Sequence, residues 1–302
     1  MELNDFLAEW HNDNPRILVH TSGSTGKPKP LMVEKRRMLN SARITCDFLG
    51  LKPGDTALLC MPLDYIAGKM MVVRSLQRDL RLTTVRPSSH PLADDALPSF
   101  TFAAMVPMQV YNTLKVPCER ERLMHIHHLI IGGGAISDEL AQMIKPLPNA
   151  VWSTYGMTET LSHIALRRLN GPDASLWYTP FDGVGISLNA DGCLVIDAPE
   201  VCAEPLVTND IAQLRTDDRI KIQIEEVEET LRPHLSAPFM IVKKQDEMLG
   251  EKAILLTESA DLTHIEEICR NTLPKYWVPR EFLHIDHLPL TETGKPKRSG
   301  AF

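Results

Sequence analysis

Four short apolar segments, separated by stretches with helical spacing, constrain the fold of this chain more than any other feature. Each segment has the length and composition of one buried β-strand. The segments are DTALLCMP, FTFAAMV, HHLIIGGG and AVWSTYG, at residues 55–62, 100–106, 127–134 and 150–156. Because strands that alternate with helices form sheets covered by helices on their faces, the sequence predicts an α/β fold.

Helices are predicted between these strands. Apolar spacing favours a helix over residues 35–50, ended by Gly50, and further helices over residues 68–80 and 107–114. Ser137 precedes the helical segment DELAQMI. A serine at this position is a common N-cap, because its side-chain oxygen accepts a backbone N–H of the first turn.

The second half of the chain has a different texture. After about residue 176, short strands and Asp-Gly turns predict antiparallel structure. From residue 217 onward the order is helix, strand, strand, helix and strand, which indicates a small α+β domain. The predicted domains are therefore residues 1–217, with mixed α/β sheets, and residues 218–302.

Composition restricts the functional class. The chain has 302 residues, 43% of them hydrophobic, and a formal net charge of -7, which argues against a general nucleic-acid binder. No stretch is long and apolar enough for a membrane span. The six cysteines form no C-x-x-C pair, which is typical of free thiols in a reducing compartment. The sequence thus predicts a cytoplasmic protein with small-molecule substrates, and it leaves the oligomeric state open.

The stretch HTSGSTGKPKP, at residues 20–30, has the composition of a phosphate-binding loop. It is not a Walker loop, because Lys27 is followed by proline rather than by serine or threonine. Glycines allow the backbone to approach an anion closely, while hydroxyls and lysines hold its oxygens. A flexible polar loop is the alternative. The residues concerned are Thr21, Ser22, Gly23, Ser24, Thr25, Gly26, Lys27 and Lys29.

Three further stretches favour nucleotide chemistry. YGMTE, at residues 155–159, follows a predicted strand and offers the hydroxyl of Thr158 to a phosphate and the carboxylate of Glu159 to magnesium. Asp210, in the sequence TND, is a candidate for binding ribose hydroxyls, although the same residues suit an Asx turn. LTETGKPKR places Lys295 in a polar C-terminal tail.

Taken in this order, the stretches resemble the motifs of the adenylate-forming superfamily, which includes acyl-CoA synthetases, adenylation domains of peptide synthetases and luciferases. TSGSTGKPK is similar to that family's phosphate loop, YGMTE to its most specific motif, and GGGAIS to its adenine-side glycine turn. TND occupies the family's T-x-D position, and LTETGKPKR is similar to its C-terminal lysine motif.

The resemblance implies two half-reactions. A carboxylate attacks the α-phosphorus of ATP, and the thiol of coenzyme A then displaces AMP. It further implies an adenylation core at residues 1–217 and a mobile lid at residues 218–302 that rotates between the steps. The resemblance implies that Lys295 bridges the acid and the α-phosphate and that Glu159 binds Mg²⁺. It implies that Thr158 holds the α-phosphate and Asp210 the ribose. The residues implied on the adenosine side are Tyr155, Gly156, Gly132, Gly133, Gly134 and Ala135.

The chain is most similar, within this family, to short bacterial o-succinylbenzoate–CoA ligases of menaquinone synthesis. About 20 residues precede the phosphate loop, and the stretches MPLDYIAGKMMVVRSL and AAMVPMQVYNTL resemble that subfamily, although a histidine often occupies the position of Tyr65 there. Tyr65, Lys69 and His163 are candidates for contacting a second carboxylate of the acid. Two alternatives stay open: another acid with a carrier-protein thiol as acceptor, and a nucleotide-binding module without turnover.

One departure from the family concerns residues 218–221. The family expects a G-R-x-D hinge and a Gly-Gly loop between TDDR and KIQIEEVE, whereas here the two stretches are almost adjacent. A missing hinge would prevent rotation of the lid. We therefore expect an interruption of the chain near residues 218–221, where a linker segment is absent from the sequence.

Overall fold

The computed structural model describes residues 1–20, 30–134, 136–190, 192–222, 227–228, 230–246, 250–273 and 278–288. The described chain divides into two compact units, the first up to Lys221 and the second from Ile222 onward. The sequence places the domain boundary after Asp217. Each unit is described by itself below.

The first unit opens with a helix and a hairpin. Helix α1 spans Leu3–His11 and buries Phe6, and strands β1 (Arg16–His20) and β2 (Pro30–Glu34) pair antiparallel. His20 lies opposite Pro30 in the register. The predicted phosphate loop, at residues 21–29, lies outside the described residues.

A seven-stranded sheet forms the centre of the first unit, in the order β4-β3-β5-β6-β7-β8-β9. Strands β3 to β7 are mutually parallel. Strands β8 and β9 are added antiparallel at one edge. All four residues of β5 are buried, as expected for a strand covered on both faces. The strands are β3 Thr56–Leu59, β4 Arg81–Thr84, β5 Phe102–Met105, β6 His128–Ile131, β7 Ala150–Gly156, β8 His163–Arg168 and β9 Thr179–Pro180.

The helices of this sheet confirm most of the predicted elements. The Ser137 hydroxyl accepts the Leu140 N–H at 3.3 Å, and Gly50 ends the second helix with a φ of 65°. Neither α1 nor the charged helix α5 is predicted from the sequence. The remaining helices are α2 Lys35–Phe48, α3 Ile66–Arg78, α4 Pro107–Lys115, α5 Pro117–Met124 and α6 Asp138–Ile144.

A four-stranded sheet follows, in the order β10-β11-β12-β13. The pairs β10–β11 and β11–β12 are antiparallel, as predicted from the Asp-Gly turns. Gly183 and Gly192 adopt φ values of 80° and 75°, which favour glycine. The strands are β10 Gly185–Leu188, β11 Cys193–Asp197, β12 Leu206–Leu214 and β13 Ile220–Ile222.

The expectation of an absent linker segment near residues 218–221 stays a prediction. The chain is continuous there and turns tightly between β12 and β13, with the Arg215 N–H donating to the Arg219 carbonyl at 2.9 Å. Asp218 completes the turn with a φ of 60°. Ile220 and Tyr178 exchange backbone hydrogen bonds of 2.8 and 3.0 Å. The residues after the turn form an additional strand of the sheet.

The second unit has the predicted α+β order. Strands β14 (Phe239–Asp246) and β15 (Gly250–Thr257) are antiparallel, and β16 (Glu281–His284) adds parallel to β15. Helix α7 (Leu262–Thr272) connects β15 to β16. Residues 227–228 and 230–231 are also helical. The core of this unit consists of Val227, Leu231, Leu235, Ile241, Leu255, Ile265, Cys269 and Leu273.

All six cysteines are free thiols. Within the ranges that the structure describes, no helix combines the length and the apolar character needed to cross a bilayer.

Candidate functional site

Two of the predicted nucleotide motifs meet at one edge of the central sheet. Strand β6 ends at Ile131 and β7 at Gly156, and the two strands are parallel neighbours. Carboxyl ends of parallel strands share one edge, where α/β proteins bind their ligands. Gly132 lies beside Thr154 so closely that a Cβ on it would stand 2.4 Å from the Thr154 hydroxyl. A side chain at the start of the predicted adenine turn would therefore require the Thr154 hydroxyl to move.

The turn after β7 has a fixed shape. A Cβ on Gly156 would lie 2.3 Å from the Ser162 carbonyl oxygen and 2.4 Å from the His163 Cα. Leu161 adopts a φ of 64°, which is uncommon outside glycine and occurs where surrounding structure enforces it. The buried Thr160 hydroxyl accepts the Met157 N–H at 3.0 Å and donates to the Ser162 carbonyl at 2.6 Å.

Thr158 and Glu159 differ sharply in exposure. Thr158 is buried, whereas Glu159 is exposed and lines a pocket of about 300 Å³ with residues of β2 and of the segment before β12. The Cys202 thiol donates to the Glu159 carbonyl at 3.5 Å, which holds that segment against the turn. Within the described ranges Glu159 forms no ion pair. Because magnesium prefers few carboxylates together with phosphate oxygens, this accessible carboxylate suits a magnesium–nucleotide complex.

Asp210 joins the same region from another sheet. It lies within β12 rather than in an Asx turn, and it accepts a hydrogen bond of 2.7 Å from the Tyr155 hydroxyl. Thr208 supports it by accepting the Asp210 N–H at 3.1 Å while donating to the Leu194 carbonyl at 2.8 Å. The candidate ribose-binding carboxylate is thus anchored to the tyrosine of YGMTE.

The three acid-pocket candidates have different surroundings. Tyr65 is exposed at the start of α3. Lys69, 3% exposed, donates to the Leu18 carbonyl at 2.7 Å and lies 5.9 Å from the Phe6 ring centroid. Burial lowers the pKa of its amine. In this structure Lys69 connects α3 to the strand that leads into the phosphate loop.

His163 is the centre of a buried hydrogen-bond chain. Its Nδ1 lies 3.1 Å from the Ser162 hydroxyl and its Nε2 3.1 Å from the Thr45 hydroxyl, which donates to the Ser41 carbonyl at 3.0 Å. Arg74 donates to Ser162 at 2.7 Å. A consistent direction runs from Arg74 through Ser162 and His163 to Thr45 if the imidazole is neutral with its proton on Nε2. Burial, with a smaller effect of Arg74, lowers the pKa of His163 well below its usual value.

Arg74 is the residue of this region that the sequence motifs do not indicate. It is 2% exposed, and burial lowers its pKa to about 10. Besides Ser162 it contacts the Met71 sulfur at 3.9 Å, and its Nε has no hydrogen-bond partner in the described part of the chain. No carboxylate pairs with it among the described residues. The sequence signal that could have indicated Arg74 is a charged residue directly after the apolar run MMVV in a predicted helix.

Several predicted site residues lie outside the described residues and stay predictions. They are Thr21, Ser22, Gly23, Ser24, Thr25, Gly26, Lys27 and Lys29 of the phosphate loop, Ala135, and Lys295.

Comparisons with known proteins agree with the motifs. The profile of the AMP-binding enzymes matches residues 4–203, about two thirds of the chain. A 2-succinylbenzoate–CoA ligase of Bacillus mycoides (strain KBAB4) is 25% identical over 334 residues, which cover 95% of this chain and 69% of the relative. The chain thus spans about two thirds of the length of such relatives.

Solved structures share the architecture. An acyl-CoA synthetase (AMP-forming)/AMP-acid ligase II-like protein from Dyadobacter fermentans DSM 18053 is 31% identical, with a TM-score of 0.69 over 97% of this chain and 90% of that one. The o-succinylbenzoate coenzyme A synthetase of Bacillus subtilis, solved with ATP and a magnesium ion, is 21% identical with a TM-score of 0.68. The match covers 93% of this chain and 68% of the Bacillus subtilis chain, and this likeness supports the fold. The chain belongs to the AMP-binding enzyme family, the adenylate-forming enzymes that include the acyl-CoA synthetases.

Proposed function

We propose that this protein activates an aromatic dicarboxylic acid, o-succinylbenzoate, with ATP and transfers the acyl group to the thiol of coenzyme A. The reaction class follows from the family. One observation supports this acid: a buried guanidinium, Arg74, has no carboxylate partner in the described chain and donates to Ser162, which closes the YGMTE turn. The name of the Bacillus relative supports the same acid.

The first half-reaction needs a site for ATP. The acid's carboxylate oxygen forms a bond to the α-phosphorus, and the bond to pyrophosphate breaks. Gly132, Gly133 and Gly134 provide room for the adenine, and Asp210 accepts hydrogen bonds from ribose hydroxyls. Thr158 donates to the α-phosphate, and Glu159 is placed to hold magnesium, which when bound neutralises phosphate charge.

Lys295 completes the first step in this proposal. Its ammonium bridges the acid and the α-phosphate, which offsets the repulsion between two anions. In the second half-reaction the coenzyme A sulfur forms a bond to the acyl carbon, and AMP leaves with the bonding electrons. We assign residues 1–217 to nucleotide and acid binding and residues 218–302 to the domain that carries the lysine.

Arg74 selects the acid through its second carboxylate. A buried unpaired guanidinium is costly, and an incoming carboxylate offsets this cost with charge-assisted hydrogen bonds. Ser162 accepts a hydrogen bond from the Arg74 guanidinium, and neutral His163 is the next member of the same hydrogen-bond chain. This chain fixes the direction of the guanidinium. Tyr65 and Lys69 remain candidates for contacting the acid.

The test is a complete reaction with the full chain. The protein is incubated with ATP, magnesium, coenzyme A and o-succinylbenzoate, and thioester and AMP are measured by mass spectrometry. We expect both products in equal amounts. AMP and acyl-adenylate without thioester would favour a carrier-protein thiol as the acceptor. Binding of ATP without AMP release from any acid in a panel would favour the module without turnover and contradict the proposal.

A further inference from the structure

A second pocket lies at the opposite end of β7 from the YGMTE turn. Its volume is about 530 Å³, within the range of small-molecule sites. Trp152, which lines it, is four residues before Gly156 on β7, a separation of roughly 13 Å. None of its lining residues belongs to the nucleotide motifs. The pocket is therefore separate from the candidate catalytic site.

Two tryptophans and three arginines give this pocket its chemistry. The Arg168 guanidinium lies 5.1 Å from the Trp152 ring, and the Arg215 guanidinium 5.5 Å from the Trp177 ring. Arg219 also lines the pocket. Cations over indole rings are favourable pairs, and these two guanidiniums cover faces of the two rings. Asp173 also lines the pocket and Asp217 pairs with two of the arginines, so three positive charges face two negative ones and an excess of one positive charge remains, in a chain of net charge -7.

The hairpin turn after β12 fixes two of these arginines side by side. Asp217 pairs with Arg215 Nε at 3.3 Å and with Arg219 Nε at 3.4 Å. The two arginine side chains are 46% and 42% exposed, so a solute reaches them. Because the turn is closed by the hydrogen bond between Arg215 and Arg219, the guanidiniums are held at one wall of the pocket.

We propose that this pocket binds a planar aromatic anion, whose ring packs against the aromatic lining and whose anionic group pairs with Arg215 and Arg219. The ligand is either an aromatic carboxylate or a phosphorylated nucleoside, because both combine a flat ring with an anion. The proposal is independent of the acid chosen for the catalytic site.

Fluorescence titration of the full chain tests the proposal. The probes are naphthoate and adenosine 3′,5′-bisphosphate, with naphthol and adenosine as neutral controls. Binding at the catalytic site is told apart by the variants below, because Arg215 and Arg219 are not among the residues assigned to that site. We expect saturable quenching by one or both anions and not by the neutral rings. Naphthoate alone would identify a carboxylate ligand, and the bisphosphate alone a nucleotide.

Matched variants locate the binding. The double variant Arg215→Met, Arg219→Met is expected to weaken binding by about tenfold or more, through loss of charge-assisted contacts. Arg270→Met, at an exposed arginine paired with Glu266, is the control. Trp177→Phe should remove most of the quenching, whereas Trp10→Phe, at a ring stacked on Phe6, should keep it. Absence of quenching, or quenching unchanged in both the double variant and Trp177→Phe, would overturn the proposal.

Discussion

At the scale of single residues, the buried charge of Arg74 can be tested for a role in binding or in folding. We expect Arg74→Met to raise the KM for o-succinylbenzoate by roughly 10–100-fold, from the loss of charge-assisted hydrogen bonds, and to leave the KM for ATP near its original value. The melting temperature should stay equal or rise, because apolar replacement of a buried charge is often neutral or stabilising. Steady-state kinetics and thermal unfolding measure both.

Arg78→Met is the matched control, since Arg78 ends the same helix and pairs with Asp47 on the surface. It should change neither KM by more than about twofold. A lower melting temperature for Arg74→Met with an unchanged KM for the acid would show that Arg74 serves folding instead.

The protonation of His163 gives a prediction about pH. Because burial holds its folded-state pKa below the unfolded value of about 6.5, the unfolded state binds the additional proton first as pH falls. This residue's contribution to stability is therefore complete above about pH 6.5 and is lost progressively below it. We expect His163→Gln to show a smaller decrease in urea midpoint between pH 7.5 and pH 5 than the parent protein.

His264→Gln provides the comparison, because His264 is an exposed residue of α7. Its midpoint should fall with pH as in the parent protein. If His163→Gln shows the same decrease as the parent, protonation of this imidazole does not limit acid stability.

At the scale of elements, the turn after β7 depends on Gly156. Gly156→Ala would place a methyl group 2.3 Å from the Ser162 carbonyl, so the turn carrying Thr158 and Glu159 must shift. We expect a stability loss of about 1–3 kcal/mol, as for overpacking in a core, and a large decrease in acid-dependent AMP release. Urea unfolding and a coupled AMP assay measure these quantities.

Gly185→Ala is the control, since a Cβ there would lie 3.5 Å from the Asp197 Cβ, an ordinary contact. It should keep activity and stability. Equal behaviour of the two variants would show that the close approach at Gly156 is not required.

The elements also show what sequence reasoning can reach. Strands β3, β5, β6 and β7 are predictable because buried parallel strands are continuous apolar runs. Half of the residues of α5 are charged, so it has no clear apolar stripe. Helix α1 was predictable, because Leu3, Phe6, Leu7 and Trp10 follow helical spacing. Strand β4 has no buried residue and lies at the sheet edge. Its sequence therefore lacks the apolar run by which a buried strand is predicted.

Some features of the candidate site are likewise predictable from short stretches of sequence, and others are not. Glycine and hydroxyl motifs are local in sequence, so Gly132, Tyr155 and Glu159 are predictable from short stretches. The contact of Tyr155 with Asp210 joins residues 55 positions apart. The burial of Arg74 likewise depends on helix packing, because the hydroxyl it meets belongs to the turn before β8. Neither is visible in any short stretch.

At the scale of the whole molecule, the two half-reactions should separate on Lys295. We expect Lys295→Ala to lose acyl-adenylate formation by more than about 100-fold, because the charge that bridges two anions is removed. Thioester formation from supplied acyl-adenylate should be largely kept. Single-turnover assays of each half-reaction measure the difference, with Lys252→Ala in β15 as a control for loss of a lysine.

Equal loss in both half-reactions would contradict the assigned role of Lys295. This comparison also tests the short connection after β13. If the acyl-adenylate forms but supplied acyl-adenylate never reacts with coenzyme A in the parent protein, the chain completes only the first step.

The central claim is the activation of a dicarboxylic acid by an adenylate-forming enzyme, and ATP–pyrophosphate exchange measures it most directly. Exchange is followed with o-succinylbenzoate and with benzoylpropanoate, which has the same side chain without the ring carboxylate. We predict exchange that depends on the acid, with kcat/KM for o-succinylbenzoate at least about tenfold higher, the value of one charge-assisted contact. Equal kcat/KM for the two acids, or no exchange with either, would contradict the account.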